Sequence, residues 1–349
     1  MAIDLRELSP QLRRVLVVKL SSLGDIILIT PCLRALRQTL PNAEIHLAVE
    51  RRWADAVRGN PNIDRTIEWS SQVELSPRYL WDVYRRLSAA GPFDLALDFQ
   101  GTRRSAAWVY LSRAAIQAGR GQRRPGWKAT ARTDHSRHAV LVCANFCESV
   151  GIAVPDLNPE IHPDPADDGI VNHILDARDL PRTDFIVLNP FSRWTSKDWP
   201  ARQAAELAGR ISRELGACVI VTGSAHEAAR AESLVRIEGS GNIVTLTGQL
   251  TLGQALCLFR RARLMVSCDS GPMHAAAALG TPVVALFGPT HPEHTGPWGE
   301  GHRVLQASRP AHHHAFRSKD ALHYMAALDS DAVFQTVKDM MVAPTVSTA

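Results

Sequence analysis

The chain has 349 residues, 45% of them apolar and 21% charged, with a formal net charge of +4. This is the composition of an ordinary globular protein, and the length predicts two domains rather than one. No apolar run reaches the roughly 18–20 residues of a membrane span, and the opening MAIDLRELSPQLRR carries acids and no apolar core, so it does not read as a secretory signal.

The first half alternates strand and helix signals. Arg14–Lys19 is a β-rich run, and Ile26–Leu40 reads as a helix interrupted early by Pro31. Strands are predicted at Glu44–Val49, Arg65–Trp69 and Asp94–Phe99. Helices are predicted at Trp53–Arg58, Tyr79–Ala89, Ser105–Ala115 and His138–Val150. Repeated βα units predict a parallel sheet with helices on both faces. Cys32, Cys143, Cys147, Cys218, Cys257 and Cys268 are scattered in mostly apolar surroundings, which predicts buried thiols of a reducing compartment rather than a disulfide framework. Cys143 and Cys147, one helical turn apart, lack further ligands nearby and read as core.

From Gly101 to Thr133 there is no acid, while Arg103, Arg104, Arg113, Arg120, Arg123, Arg124, Lys128 and Arg132 all fall there. A single-sign block points to an anionic partner or to a solvated basic surface. Nucleic acid is one candidate, although the block lacks the interleaved aromatic platforms of single-strand binders; a phosphorylated or carboxylated glycolipid or an anionic membrane face fits equally well.

Val154–Asp168, rich in proline and acid, reads as an interdomain connection. The alternation then restarts. Strands are predicted at Phe185–Leu188, Ala217–Thr222, Ile243–Leu246 and Val283–Phe287, and helices at Pro200–Leu215, His226–Ile237 and Leu252–Ala262. A final helix over Asp331–Met341 is capped by Asp329 or Ser330. Asp329-Ser330-Asp331 is therefore read as a cap, not as a metal-binding acidic motif. The run His312-His313-His314 reads as a solvated loop, with metal binding as the alternative.

Four stretches carry chemistry. In VSCDSGPMHAAAALGTPVVALFG a strand ends at Cys268, Ser270 caps a helix with Pro272 in its first turn, and Gly280 ends it. Such a helix start favours a diphosphate, with Asp269, Gly271 and His274 at its mouth. In Lys19-Leu20-Ser21-Ser22-Leu23-Gly24-Asp25, the Asp25 carboxylate either caps the next helix or serves as a general base. The loop from Asn189 to Pro200 offers Ser192, Thr195, Ser196 and Lys197 to a phosphate without being a Walker A loop. In TGSAHE, Glu227 either meets ribose hydroxyls or sits as an acid in a first helical turn.

Together these stretches resemble the ADP-heptose:lipopolysaccharide heptosyltransferases, inverting glycosyltransferases of the two-domain GT-B fold. The resemblance runs from about Arg14 to Gly299 and rests on VVKLSSLGDIILITPCLRAL, LALDFQGTRRSA, NPFSRWTSKDWP, TGSAHE and SCDSGPMHAAAALGTPVVALFGPT. It implies Asp25 as base for the acceptor hydroxyl, Ser192, Arg193 and Lys197 at the donor diphosphate, and Glu227 on the ribose. Asp269, Ser270, Gly271 and His274 would surround the donor sugar and diphosphate. It implies Kdo or heptose acceptors in the lipopolysaccharide inner core, and no catalytic metal or cofactor.

The expected fold is α/β, with two Rossmann-like doubly wound domains facing a cleft. Residues 1–165 would bind acceptor and 166–328 the nucleotide sugar, with 329–349 a helix and tail that can pack back on the N-terminal domain. Asp25 and Lys197 are the expected catalytic pair, and Thr195 joins the donor set. Ser22, Gly24, Arg103, Arg120, Arg123 and Arg124 form the expected acceptor set. The expected partners are ADP-heptose, an anionic glycolipid and, peripherally, the inner face of the cytoplasmic membrane, with no nucleic acid. The alternatives are a same-fold enzyme using another nucleotide sugar, a sugar-nucleotide epimerase, or a non-enzymatic nucleotide or anionic-lipid binder. The Arg-rich block disfavours the epimerase and Asp25 the non-enzymatic module.

Overall fold

The computed structural model describes residues 4–70, 75–121, 124–131, 134, 136–238, 242–308 and 321–342. The chain divides into two compact units, Met1–His162 and Pro163–Ala349. In the first, strands β1 (Arg14–Val18), β2 (Glu44–Glu50), β3 (Arg65–Trp69), β4 (Leu95–Asp98), β5 (Ile116–Arg120) and β6 (Ala129–Ala131) form an all-parallel sheet in the order β3-β2-β1-β4-β5-β6. In the second, β7 (Phe185–Asn189), β8 (Cys218–Val221), β9 (Ile243–Thr245), β10 (Leu264–Cys268), β11 (Val283–Phe287) and β12 (Arg303–Gln306) form another, ordered β12-β11-β10-β7-β8-β9. Both sheets have the same doubly wound order. It reverses between β1 and β4 in one unit and between β7 and β10 in the other. Loops at the carboxyl ends of such strands are where open α/β sheets bind ligands.

The strands β1, β7, β10 and β11 read as nearly unbroken apolar runs because both sheet faces are covered there. Along β1, Val15 and Val17 enter one core cluster while Leu16 and Val18 enter the other. This is the period-2 alternation of a strand buried on both sides. Each such side chain contributes roughly 1.5–3 kcal/mol by leaving water.

Several elements differ from expectation. The helix expected over Ile26–Leu40 is two helices, Leu23–Ile27 and Thr30–Thr39, with Pro31 in the first turn of the second. Proline has no N–H to donate, so it fits a helix start and not an interior. The presumed connector ends in a helix, Pro165–Asp176, whose first turn is capped by the Asp164 side chain accepting from the Ala166 amide at 2.9 Å. Proline and acid are helix-start signals as well as linker composition, and this helix buries only Val171 and Leu175. The edge strands β6 and β12 were not expected. One is three residues long and the other half exposed, so neither carries a pattern.

The C-terminal helix, Ser330–Val342, packs within the second unit. Val333, Phe334 and Val337 join the core of the second unit, and Arg210 of the Ala201–Leu215 helix pairs with Asp331 and stacks on Phe334 at 3.9 Å. Its apolar stripe is satisfied by that neighbouring helix. Cys32, Cys143, Cys147, Cys257 and Cys268 are buried free thiols, and Cys218 is half-buried. Among the described residues no helix is long and apolar enough to cross a membrane. The His312–His314 run lies outside the described residues.

Candidate active site

The first half of the site follows β1. Ser22 is the N-cap of the Leu23–Ile27 helix and Asp25 is the third residue of its first turn, so the two form a capping box. One Asp25 oxygen accepts from the Ser22 amide at 3.2 Å and from its hydroxyl at 2.7 Å. The other lies 3.3 Å from the Lys19 ammonium. The Lys19 side chain is 4% exposed, that of Asp25 49%. Desolvation by the packed surroundings pushes the Asp25 pKa up, but the Lys19 charge and the Ser22 hydrogen bonds outweigh it and bring the pKa down to about 2. The capping role is present, and it leaves the carboxylate half open: one oxygen caps while the side chain is 49% exposed. Gly24 is buried.

Beside this loop the carboxyl end of β4 supplies a second. Asp98 is fully buried, and burial raises its pKa against the bonds it accepts from the Gly101 amide, the Ser105 hydroxyl and the Gln100 amide. Gln100, so placed, accepts the Ser21 amide at 3.1 Å. Leu20, Ser21, Glu50, Gln100, Thr102 and Arg104 line an open hollow. Lys19, Asp98, Glu50 and Gln100 had no assigned role in the sequence. Lys19 carried a signal all the same, since a lysine ending a strand buried on both faces needs a partner.

The arginine block is divided. Arg103 is exposed. Arg120 turns inward and donates to the Phe99 carbonyl at 3.2 Å and the Cys143 sulfur at 3.1 Å. Arg124 donates to the Thr102 carbonyl at 3.1 Å and lies over the Trp127 ring. Arg123 lies outside the described residues.

The second unit repeats the scheme at β7 and β10. The loop after β7 is held by Asp198, which accepts the Ser192 amide at 2.6 Å and pairs with Arg230 at 2.6 Å. Ser192 is half-buried and its hydroxyl donates to the Trp194 carbonyl. Thr195 is exposed, and so is Arg193, over the Trp194 ring. Lys197 reaches across to Asp269, after β10, at 3.0 Å, with side chains 15% and 9% exposed. The Gly271–Ala278 helix starts where expected, with Ser270 as N-cap and Gly280 at φ 79° beyond its end. The Ser270 hydroxyl makes no capping bond to the first-turn amides and meets the Ser267 hydroxyl at 3.3 Å. His274, in that helix, is buried. Glu227 ends a one-turn 3₁₀ segment and accepts both the amide and the hydroxyl of Ser224, the first-turn role that was one of its two expected roles. The structure thus brings Asp269 to Lys197 and Asp25 to Ser22, each pair within one unit.

Glycosyltransferase family 9 (heptosyltransferase) matches residues 81–325. Lipopolysaccharide heptosyltransferase 1 of Salmonella typhimurium is 28% identical over 304 residues, 82% of this chain and 92% of that protein. A solved glycosyl transferase family 9 protein from Veillonella parvula matches with a TM-score of 0.83 at 24% identity, over 98% of this chain and 99% of that one. E. coli heptosyltransferase WaaC with ADP matches with a TM-score of 0.73 at 24% identity, over 94% and 99%. These structures share the two-domain α/β GT-B fold. The chain belongs to glycosyltransferase family 9, the heptosyltransferases.

Proposed function

We propose that this heptosyltransferase moves heptose from ADP-heptose to a Kdo or heptose unit of the lipopolysaccharide inner core, with inversion at the anomeric carbon. The observation that carries the reading is the half-open, ionised Asp25 at the carboxyl end of β1, anchored by Lys19 and Ser22. The similar WaaC structure holds ADP and the similar Salmonella protein is a lipopolysaccharide heptosyltransferase, which supports the choice of donor and acceptor.

The acceptor hydroxyl oxygen attacks the anomeric carbon from the face opposite the diphosphate. The carbon–oxygen bond to ADP breaks and ADP departs with the electron pair. The hydroxyl proton passes to an Asp25 oxygen. A carboxylate with a pKa of about 2 is a weak base. It suffices because the attacking oxygen becomes strongly acidic as its new bond forms, so the proton moves late. Lys197 and the first-turn amides of the Gly271–Ala278 helix meet the charge on the leaving diphosphate. A single displacement inverts the centre.

Ser22 and Gly24 would shape the acceptor site, with Arg103 and Arg124 toward its anionic groups, and Arg123 belongs to this set by sequence alone. Arg120 would act by holding β5 against the Cys143 helix. Ser192, Arg193, Thr195, Asp269, Ser270, Gly271, His274 and Glu227 make up the donor side. A lipid-anchored acceptor implies peripheral work at the inner face of the cytoplasmic membrane. The test is incubation with ADP-heptose and heptose-free lipopolysaccharide. Acceptor-dependent ADP release with an inverted glycosidic bond supports the reading, and ADP release independent of acceptor, or retained configuration, defeats it.

A further inference from the structure

The helix Pro77–Ala90 has two unlike faces. Tyr79, Val83, Leu87 and Ala90 are buried in the first unit's core. Positions four and three apart on the other side share one outward stripe. There Trp81 is 63% exposed and Leu80 39%, and the Tyr84 ring lies 5.9 Å from that of Trp81. Arg78 and Arg85 are exposed on that stripe. Arg113, just beyond the neighbouring Arg103–Leu111 helix, sets its guanidinium 5.5 Å from the Tyr84 ring. Leu75, two residues before the helix, is also exposed. Asp82, half-buried at the flank, is the helix's single acid. Arg86 faces inward, donating to the Glu68 carbonyl.

We propose that this face docks the protein on an anionic lipid bilayer, with Trp81, Leu80 and Tyr84 entering the headgroup–acyl boundary and Arg78, Arg85 and Arg113 meeting lipid phosphates. Indole and phenol rings favour that boundary because one edge is apolar and the other polar. Arg78, Arg85 and Arg113 stand against the helix's single acid, Asp82, so the face carries a net positive charge that complements anionic headgroups. The proposal deepens the functional reading by naming the surface that presents the enzyme to a membrane-held acceptor. Lipid binding itself needs no catalysis.

The test is flotation of the full-length protein with vesicles of phosphatidylglycerol and phosphatidylcholine, against vesicles of phosphatidylcholine alone. Binding to the anionic vesicles, weakened by salt, is expected. Trp81→Ala with Leu80→Ala, and separately Arg78→Glu with Arg85→Glu, should each lower it about tenfold or more. Melting temperature and ADP affinity should hold. Transfer to a vesicle-held acceptor should fall, while transfer to a detergent-dispersed acceptor stays unchanged. Absence of wild-type binding, equal binding by the variants, or a concentration-dependent dimer abolished by Trp81→Ala would overturn the proposal. If vesicle binding behaves as expected but the wild type transfers heptose to neither acceptor, the docking surface stands and the functional reading fails.

Discussion

The Lys19 ammonium lies 3.3 Å from an Asp25 carboxylate oxygen, with lysine buried and aspartate half open. Lysine cannot leave this pair for water without moving β1, so the charge that holds Asp25 ionised is fixed in place. Lys19→Met removes that attraction and leaves desolvation opposed by the Ser22 hydrogen bonds alone. The Asp25 pKa should therefore rise. The acid limb of kcat/KM should move to higher pH, read from a pH profile at constant salt. A profile identical to wild type would show that Lys19 does not set the state of Asp25.

The same pair predicts the sign of an acid-stability effect. The Asp25 pKa in the fold is about 2, below the roughly 3.9 of an unfolded aspartate. Its contribution is present above about pH 4 and is lost as pH falls through the folded value. Asp25→Asn should flatten the loss of melting temperature over that window. An unchanged slope would contradict the pairing.

Asp98→Ala should cost at least about 2 kcal/mol in denaturant melts, since it orphans the Gln100 and Gly101 amides and the Ser105 hydroxyl in a buried place. Gln100 would lose its position under Ser21 as well, so acceptor KM should rise. A variant as stable as wild type would show that another group takes over these donors.

Lys197→Ala should weaken ADP binding and slow transfer by roughly 2–4 kcal/mol in all. It should also lower the melting temperature, because Asp269 is left buried and unpaired. Lys197→Met combined with Asp269→Asn separates the two effects: melting temperature should recover and ADP affinity should not. Recovery of both would make Lys197 structural only.

ADP should raise the melting temperature in the presence of EDTA, since an ammonium and helix-start amides can neutralise a diphosphate. Stabilisation that vanishes with EDTA would contradict this.

Legibility followed the range of the interactions. The Cys268–Gly280 segment was readable almost residue by residue, because a strand end, a Ser-Gly-Pro turn and a C-terminal glycine are local devices. The twelve-strand alternation was readable where strands are apolar on both faces, and not at β6 or β12, which are short or exposed edges. Partners distant in sequence were not readable. Arg120 looked like a surface charge but spends its guanidinium on Phe99 and Cys143, 21 and 23 residues away. Asp98 is the strand residue it looked like, and is also the post around which the Gln100 loop turns. The C-terminal helix showed its apolar stripe plainly, yet nothing in the stripe says which helix will cover it.

The most direct test of the account is turnover of Asp25→Asn beside its ADP affinity. Asparagine can still accept the Ser22 amide, but it leaves Lys19 buried opposite a neutral group, so some stability should be lost. Adding Lys19→Met should restore melting temperature without restoring activity. ADP affinity should match wild type in both variants, because the Lys197–Asp269 pair and the helix start at Ser270 lie in the other unit. Transfer should fall roughly 100- to 10,000-fold, the usual worth of a positioned base. An Asp25→Asn enzyme that binds ADP and turns over at the wild-type rate would contradict the assignment of Asp25 as the base.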